Sequence, residues 1–218
     1  MVLSHRAAMF RLLFAAVLFA LSFPIMAIEE PKYRIVETIG KVELRDYEPT
    51  LLAEVEVSGE RSAAINQAFR ILAGYIFGGN QRLAKIAMTA PVTQAPEPSR
   101  RSGEKIAMTA PVTQETLSAS GGPRWRVAFM MPSQYTLETL PKPNDAQIRF
   151  RLTPPIKRAV IVFDGYSTQS NLEKHREQLQ AFVNARQLKI QGEYSLAFYN
   201  DPFTLPWNRR NEWWIAIE

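Results

Sequence analysis

The 218-residue chain has no cysteine and only two histidines, His5 and His175. Without thiols there can be no disulfide, no thiolate-held zinc or iron–sulfur site, no cysteine nucleophile and no covalent haem attachment through a C-x-x-C-H run. Two histidines are too few for a metal site built on several imidazoles. They leave a serine triad only His175 as its base, and no G-x-S-x-G elbow accompanies it. Neither G-x-x-x-x-G-K-[ST] nor G-x-G-x-x-G occurs, so the nucleotide fingerprints are absent too. No block of five or six basic residues stands anywhere, so the isoelectric point of about 9.6 is no sign of nucleic-acid binding.

What is present is the composition of an ordinary folded protein, 46% apolar and 22% charged. Residues 1–27 stand apart: Arg6 and Arg11, an apolar run from Leu12 to Phe23, then Pro24, Ile25, Met26 and Ala27. This is the layout of a secretory signal peptide cut after Ala27, and it predicts an exported protein, periplasmic or extracellular. The alternative is an uncleaved anchor, the one route by which the chain would meet a membrane. An apolar run of about 12 to 16 residues falls short of the ~30 Å hydrocarbon core at ~1.5 Å per residue. Residues 28–218 carry 24 basic and 21 acidic side chains. They suffice for one domain with a sizeable core, and no linker divides them.

From Tyr33 to Val57 short alternation, punctuated by Gly40 and by Tyr47-Glu48-Pro49, predicts two or three antiparallel strands. Ser62 is a candidate cap for a helix running to about Phe77, where Gly78-Gly79-Asn80 stops it. The apolar side of that helix is wider than resting on a sheet requires, which points either to deep burial or to a ligand cavity or partner interface. The decamer Lys-Ile-Ala-Met-Thr-Ala-Pro-Val-Thr-Gln then occurs identically at 85–94 and 105–114. Two copies around a polar connector suit a long-looped hairpin, with Ile106, Met108, Ala110 and Val112 on one face and Pro91 and Pro111 at strand ends, bulges or edges. Strands are expected at 124–131, 147–152, 156–163, 194–199 and 213–217. A second helix, from a capping box at Ser170 and Glu173 to about 186, carries Leu172, Leu179, Phe182 and Val183 on one side. The element order predicts an α+β domain of two similar halves.

The chemistry legible in these residues favours binding over catalysis. Glu43 with Asp46, and Glu54 with Glu56, sit on alternating strands that turn them outward as surface charge. His175, between Leu172 and Leu179, is either a packed residue with one nitrogen hydrogen-bonded or an axial ligand to iron. Met88 and Met108 are either core filler or thioether ligands across one hairpin.

Several motifs in order then point to a family. They are Val42-Glu-Leu-Arg-Asp-Tyr47, Tyr75-Ile-Phe-Gly-Gly-Asn80, Lys85-Ile-Ala-Met-Thr-Ala-Pro-Val92 with its copy, Phe129-Met-Met-Pro-Ser-Gln-Tyr135, Leu140-Pro-Lys-Pro143 and Arg209-Arg-Asn-Glu212. Over about residues 33 to 218 the chain resembles the SOUL haem-binding protein family. The resemblance implies an α+β fold, a distorted antiparallel β-barrel or strongly curved sheet with two helices related by a pseudo-two-fold, similar to gyrase-inhibitor-like binding domains. It implies a haem or related porphyrin held in an apolar groove beside the first helix, and a binding protein rather than an enzyme. Placed by position and chemistry, the candidates are Ile65, Phe69, Leu72 and Met88 for the macrocycle and Arg61, Arg70 and Arg82 for its carboxylates, with His175 as the one available metal ligand. A histidine proposed as axial ligand in some relatives lies in the N-terminal half, and this chain has none there after His5. The rivals are a binding module for another hydrophobic small molecule, such as an amphipathic cation or a lipid, and a structural or membrane-interaction protein. A buried acid facing the groove would favour a cation, and flanking arginines a dicarboxylate porphyrin.

Overall fold

The computed structural model describes residues 28–81, 103–117, 122–201 and 203–218. In chain order these form β1 (Tyr33–Ile39), β2 (Val42–Tyr47), β3 (Leu51–Ser58), α1 (Arg61–Ile76), the two-residue β4 (Asn80–Gln81), β5 (Val112–Leu117) and β6 (Arg124–Met130). After these come the two-residue β7 (Lys142–Pro143), β8 (Arg149–Leu152), β9 (Ile156–Phe163), α2 (Gln169–Ala185), β10 (Ile190–Phe198), a 3-10 turn at Pro206–Asn208 and β11 (Asn211–Ile217). Nine strands make one antiparallel sheet in the order β1-β2-β9-β11-β10-β5-β6-β3-β8, and β4 pairs separately with β7. The sheet does not close, because β1 and β8 are its two ends. Of the two forms expected, the fold is the curved open sheet and not a barrel.

The expected pseudo-two-fold is written in the pairing. The series β2, β3, α1, β5, β6 repeats as β8, β9, α2, β10, β11, and the sheet reads β2-β9-β11-β10 on one side and β8-β3-β6-β5 on the other. The axis passes between β5 and β10, which pair through Ser195 with Glu115 to Phe198 with Val112. Each half borrows its outer strand from the other: β2 lies against β9, and β8 against β3.

Alternation decides what each face of the sheet does. Leu51, Ala53, Val55 and Val57 of β3, with Val127 and Phe129 of β6, pack under Ala64, Ala68, Leu72, Tyr75 and Ile76 of α1. Ala159 and Ile161 of β9, with Ile215 and Ile217 of β11, pack under Leu179 and Val183 of α2. Both helices thus cover one face. Among the described residues no helix is long and apolar enough to cross a membrane.

Several local details differ from the sequence expectation. The cap of α1 is Glu60, whose carboxylate accepts from the backbone N–H of Ser62 and Ala63 at 2.9 and 3.2 Å. A carboxylate there meets two orphan donors and the positive end of the helix dipole at once, which a hydroxyl at Ser62 does not. Thr168, not Ser170, caps α2, accepting from Asn171 N–H, and Glu173 takes a bond from the Gln169 side chain instead. The expected hairpin arm at 85–94 lies outside the described residues. In the second copy only Val112, Thr113 and Gln114 enter β5. Residues 105–110 run irregularly past the end of α1, with Ile106 N–H bonded to Ile76 at 2.8 Å. Ile106 and Ala110 are buried, but Met108 is 54% exposed, because the expected period of two applies only within a strand. Pro111 stands immediately before β5, where the donor it lacks is not needed by the ladder.

Candidate functional site

The helix-free face of the sheet carries a cleft of about 190 Å³, framed by β3, β5, β6, β8, β9, β10 and β11 around the pseudo-two-fold. Its walls are the residues that alternate with the helix-facing ones: Leu52 opposite Leu51, Ala128 and Met130 opposite Val127 and Phe129, and Arg158 opposite Ala159. Ile156 and Trp214 complete an apolar floor.

Charge in the cleft is unevenly matched. Arg126 bonds Glu56 at 3.0 Å and Glu115 at 3.2 Å; although burial opposes its charge, these carboxylates hold the guanidinium above its ordinary pKa. Arg151 bonds Glu54 at 2.8 Å. Arg158 lies over the rings of Tyr47 and Trp214, 4.7 and 4.6 Å from their centroids, and makes no ion pair or side-chain hydrogen bond among the described residues. Desolvation draws its guanidinium below the ordinary arginine value.

One end of this face is closed by a buried polar network. Glu212, with no exposure, accepts from Arg45 at 3.1 Å, Arg210 at 2.8 Å, Tyr199 at 3.0 Å and the Trp214 indole at 2.6 Å. Burial works against the Arg45 charge, and Glu212 and Tyr47 overcome it and hold the guanidinium above its usual range. Burial likewise pushes the Tyr47 and Tyr199 hydroxyls up, with Glu212 adding to both shifts. The paired carboxylates singled out from the sequence are held by arginines: Asp46 by Arg34, Glu43 by Arg45, Glu54 by Arg151, and Glu56 by Arg124 and Arg126.

The candidates on the first helix lie on the opposite face. Phe69 is 42% exposed and stands edge-on to Phe129, ring centroids 5.4 Å apart. Phe129 also lines a shallow crevice with Ile76, Met108 and Val112, so Phe69, Met108 and the crevice form one apolar patch. Ile65 is half-buried, while Leu72 is fully buried beneath the helix. Arg70 is exposed and makes no ion pair among the described residues. Arg61 is engaged with Gln114 at 2.7 Å and lies over Trp125. Arg82 and Met88 lie outside the described residues. His175 is remote from this group in the fold: it is buried on α2, stacked on Phe163 at 4.3 Å, with Nδ1 bonded to the Asn171 carbonyl at 2.8 Å. Among the described residues no group of three or more His, Cys, Asp or Glu is placed to hold a metal ion.

Sequence reasoning passed over Arg158, Trp214 and the cleft itself, because alternation reads the second face of a strand as solvated. The available signal was in β11, Asn-Glu-Trp-Trp-Ile-Ala-Ile, where bulky apolar residues fall on both faces, the mark of a strand covered on both sides.

A family model described as SOUL heme-binding protein matches residues 28–103 and 97–216. Each matched segment contains one copy of the repeated decamer. Heme-binding protein 2 of Homo sapiens is 29% identical over 200 residues, covering 87% of this chain and 86% of the relative. Heme-binding protein 1 of Xenopus tropicalis is 27% identical over 174 residues, covering 79% and 82%. In fold the chain is similar to the crystal structure of the EcmrR C-terminal domain, with a TM-score of 0.57 at 10% identity over 85% of this chain and 98% of that one. It is also similar to a hydrolase from Listeria innocua, with a TM-score of 0.55 at 12% identity over 84% and 94%. At such identities the likeness is one of architecture.

Proposed function

Because this chain belongs to the SOUL heme-binding protein family, we propose that it is an exported binding protein for haem or a related tetrapyrrole, held on the apolar patch beside α1. The observation that carries this reading is the family match across nearly all of residues 28–216. The patch fits the ligand in kind. Phe69, packed on Phe129, and Met108, which lines the crevice with Phe129, offer exposed apolar surface, which suits a flat macrocycle. Arg70, the next residue on α1, is exposed and would receive a carboxylate that reaches round the helix. Leu72 is fully buried and would not touch the ligand. Arg61, already bonded to Gln114, holds the helix to β5.

Ligation of iron by His175 would place the tetrapyrrole against α2 and require a ring that is only 7% exposed to present Nε2 to it. The α1 patch instead relies on apolar burial and carboxylate pairing, with redox and ligand chemistry supplied by the bound group itself. An amphipathic cation is the less suited ligand. The buried acid that would attract one, Glu212, is already matched by Arg45 and Arg210.

Titration of the purified protein with haemin is expected to give a saturable one-to-one Soret shift at micromolar protein. Phe69→Ser is expected to weaken it about tenfold, and His175→Ala to leave it unchanged. Absence of a saturable shift would refute tetrapyrrole binding, and loss of the shift in His175→Ala alone would move the site to α2. Export is tested separately, by cell fractionation and by sequencing the N-terminus of the recovered protein, expected to start at Ile28.

A further inference from the structure

We propose that the cleft on the helix-free face is a second, separate binding site, which takes an amphipathic organic anion, a single carboxylate or sulfonate on a flat apolar body, with Arg158 receiving the charged group. It opens on the other face of the sheet from the α1 patch. Leu52, Ala128 and Arg158 face the cleft while their neighbours Leu51, Val127 and Ala159 face the helices, and only at the rim does one residue, Met130, border both the cleft and the crevice beside α1.

The inference rests on charge that is not compensated. Taking a guanidinium out of water is costly unless it is paired or hydrogen-bonded. The other arginines at the cleft and its closed end meet that condition: Arg45 and Arg210 through Glu212, Arg126 through Glu56 and Glu115, and Arg151 through Glu54. Arg158, half-buried in the cleft, has neither an ion pair nor a side-chain hydrogen bond among the described residues. It lies over Tyr47 and Trp214, whose ring centroids are themselves 5.5 Å apart, so both rings flank it on one side and neither offers an oxyanion to its N–H groups. Five N–H donors on a rigid plane, beside an apolar floor of Leu52, Met130 and Ile156, match a planar oxyanion with an apolar body behind it. Two carboxylates also border the cleft. Glu115 is tied to Arg126, and Glu193 is exposed on β10. Neither is an ion-pair partner of Arg158.

The probe for the test is 8-anilinonaphthalene-1-sulfonate, a flat apolar body with one anionic group, titrated into the purified protein and read by its own fluorescence. Saturable one-to-one binding is expected, weakened about tenfold or more by Arg158→Gln and abolished by Ser195→Trp, which fills the cleft from β10. Phe69→Ser is expected to leave the probe affinity as it is. The two cleft variants fail by different routes, one through charge and one through space, and near-ultraviolet circular dichroism establishes which of them is folded. No saturable binding, or binding untouched by whichever variant folds, or binding lost in Phe69→Ser, overturns the proposal. Haemin titration of Arg158→Gln reads the first site independently. An unchanged Soret shift supports two sites, and a parallel loss of haemin overturns their separation.

Discussion

Glu212 is sealed from solvent, and four donors converge on it from β2, β11 and the segment between β10 and β11. Removing it would leave the buried Arg45 with Glu43 as its one remaining carboxylate and take the shared acceptor from the Tyr199 phenol and the Trp214 indole. Glu212→Ala is therefore expected to cost about 3–5 kcal/mol, and Glu212→Gln, which keeps the shape and one acceptor, clearly less. Urea denaturation measures both, and a loss below about 1 kcal/mol for the alanine variant would contradict this account. Nothing in the sequence singles the residue out physically. Read locally, Asn211-Glu212 is the polar approach to a strand expected at 213, and the partner that buries with its acidic side chain, Arg45, lies 167 residues earlier. His175 illustrates the converse. Its place between Leu172 and Leu179 on a helical stripe leaves two readings, a packed ring with one bonded nitrogen or an iron ligand, and the ring is packed, with Nδ1 bonded to Asn171 one turn earlier and its face on Phe163 of β9.

Among the elements, β5 is where local sequence and fold part company. Of the second decamer only Val112, Thr113 and Gln114 enter it, and the residues just before that copy are held against the end of α1. Gly103 packs against the end of α1 so closely that a Cβ there would sit 1.7 Å from the Gly78 carbonyl oxygen. The residue at the same offset before the first copy is Leu83, which has no room in that position. Glu104 adds a hydrogen bond from the Tyr135 hydroxyl at 2.8 Å, where the first copy is preceded by Ala84. Gly103→Ala should force the backbones apart at α1 and destabilise the protein by about 2 kcal/mol or more, measured as the shift in urea midpoint. A neutral substitution would mean that this contact does not set the register. The helices were more legible, since their apolar stripes fix which side is buried. Their caps each lie two residues before the expected serine, at Glu60 and Thr168, because several neighbouring side chains can cap and only backbone direction settles the choice.

For the whole molecule, the exchange of outer strands between halves makes the sheet one cooperative body, with β2 finishing the C-terminal half and β8 the N-terminal half. Buried tyrosines in both halves provide a pH probe of that cooperativity. Burial, the leading cause in each case, pushes Tyr47, Tyr75 and Tyr199 well above the ordinary phenol value of about 10. As pH rises past ~10 the unfolded chain releases these protons first, so it binds fewer than the folded one and stability falls; below ~10 their contribution is fully present. Of the seven tyrosines, these three are expected to form tyrosinate only together with unfolding, in one transition seen equally by tyrosinate absorbance and tryptophan fluorescence. Ordinary titration of all seven in a still-folded protein, or two separate transitions, would overturn this.

By itself the sequence determined the α+β class, the two helices, most strand positions and the doubled element order, because these depend on periodicities of two and 3.6 that neighbouring residues carry. It also held the family motifs along nearly the entire stretch that the family model matches. Tertiary structure alone decided that the sheet stays open, that Phe69 remains at the surface while Leu72 is sealed, and that the helix-free face folds into a cleft in which Arg158 has no ion-pair partner among the described residues. Those outcomes depend on which distant strands share an edge and which carboxylates lie within reach of each arginine, distances set by chain topology that no local pattern encodes.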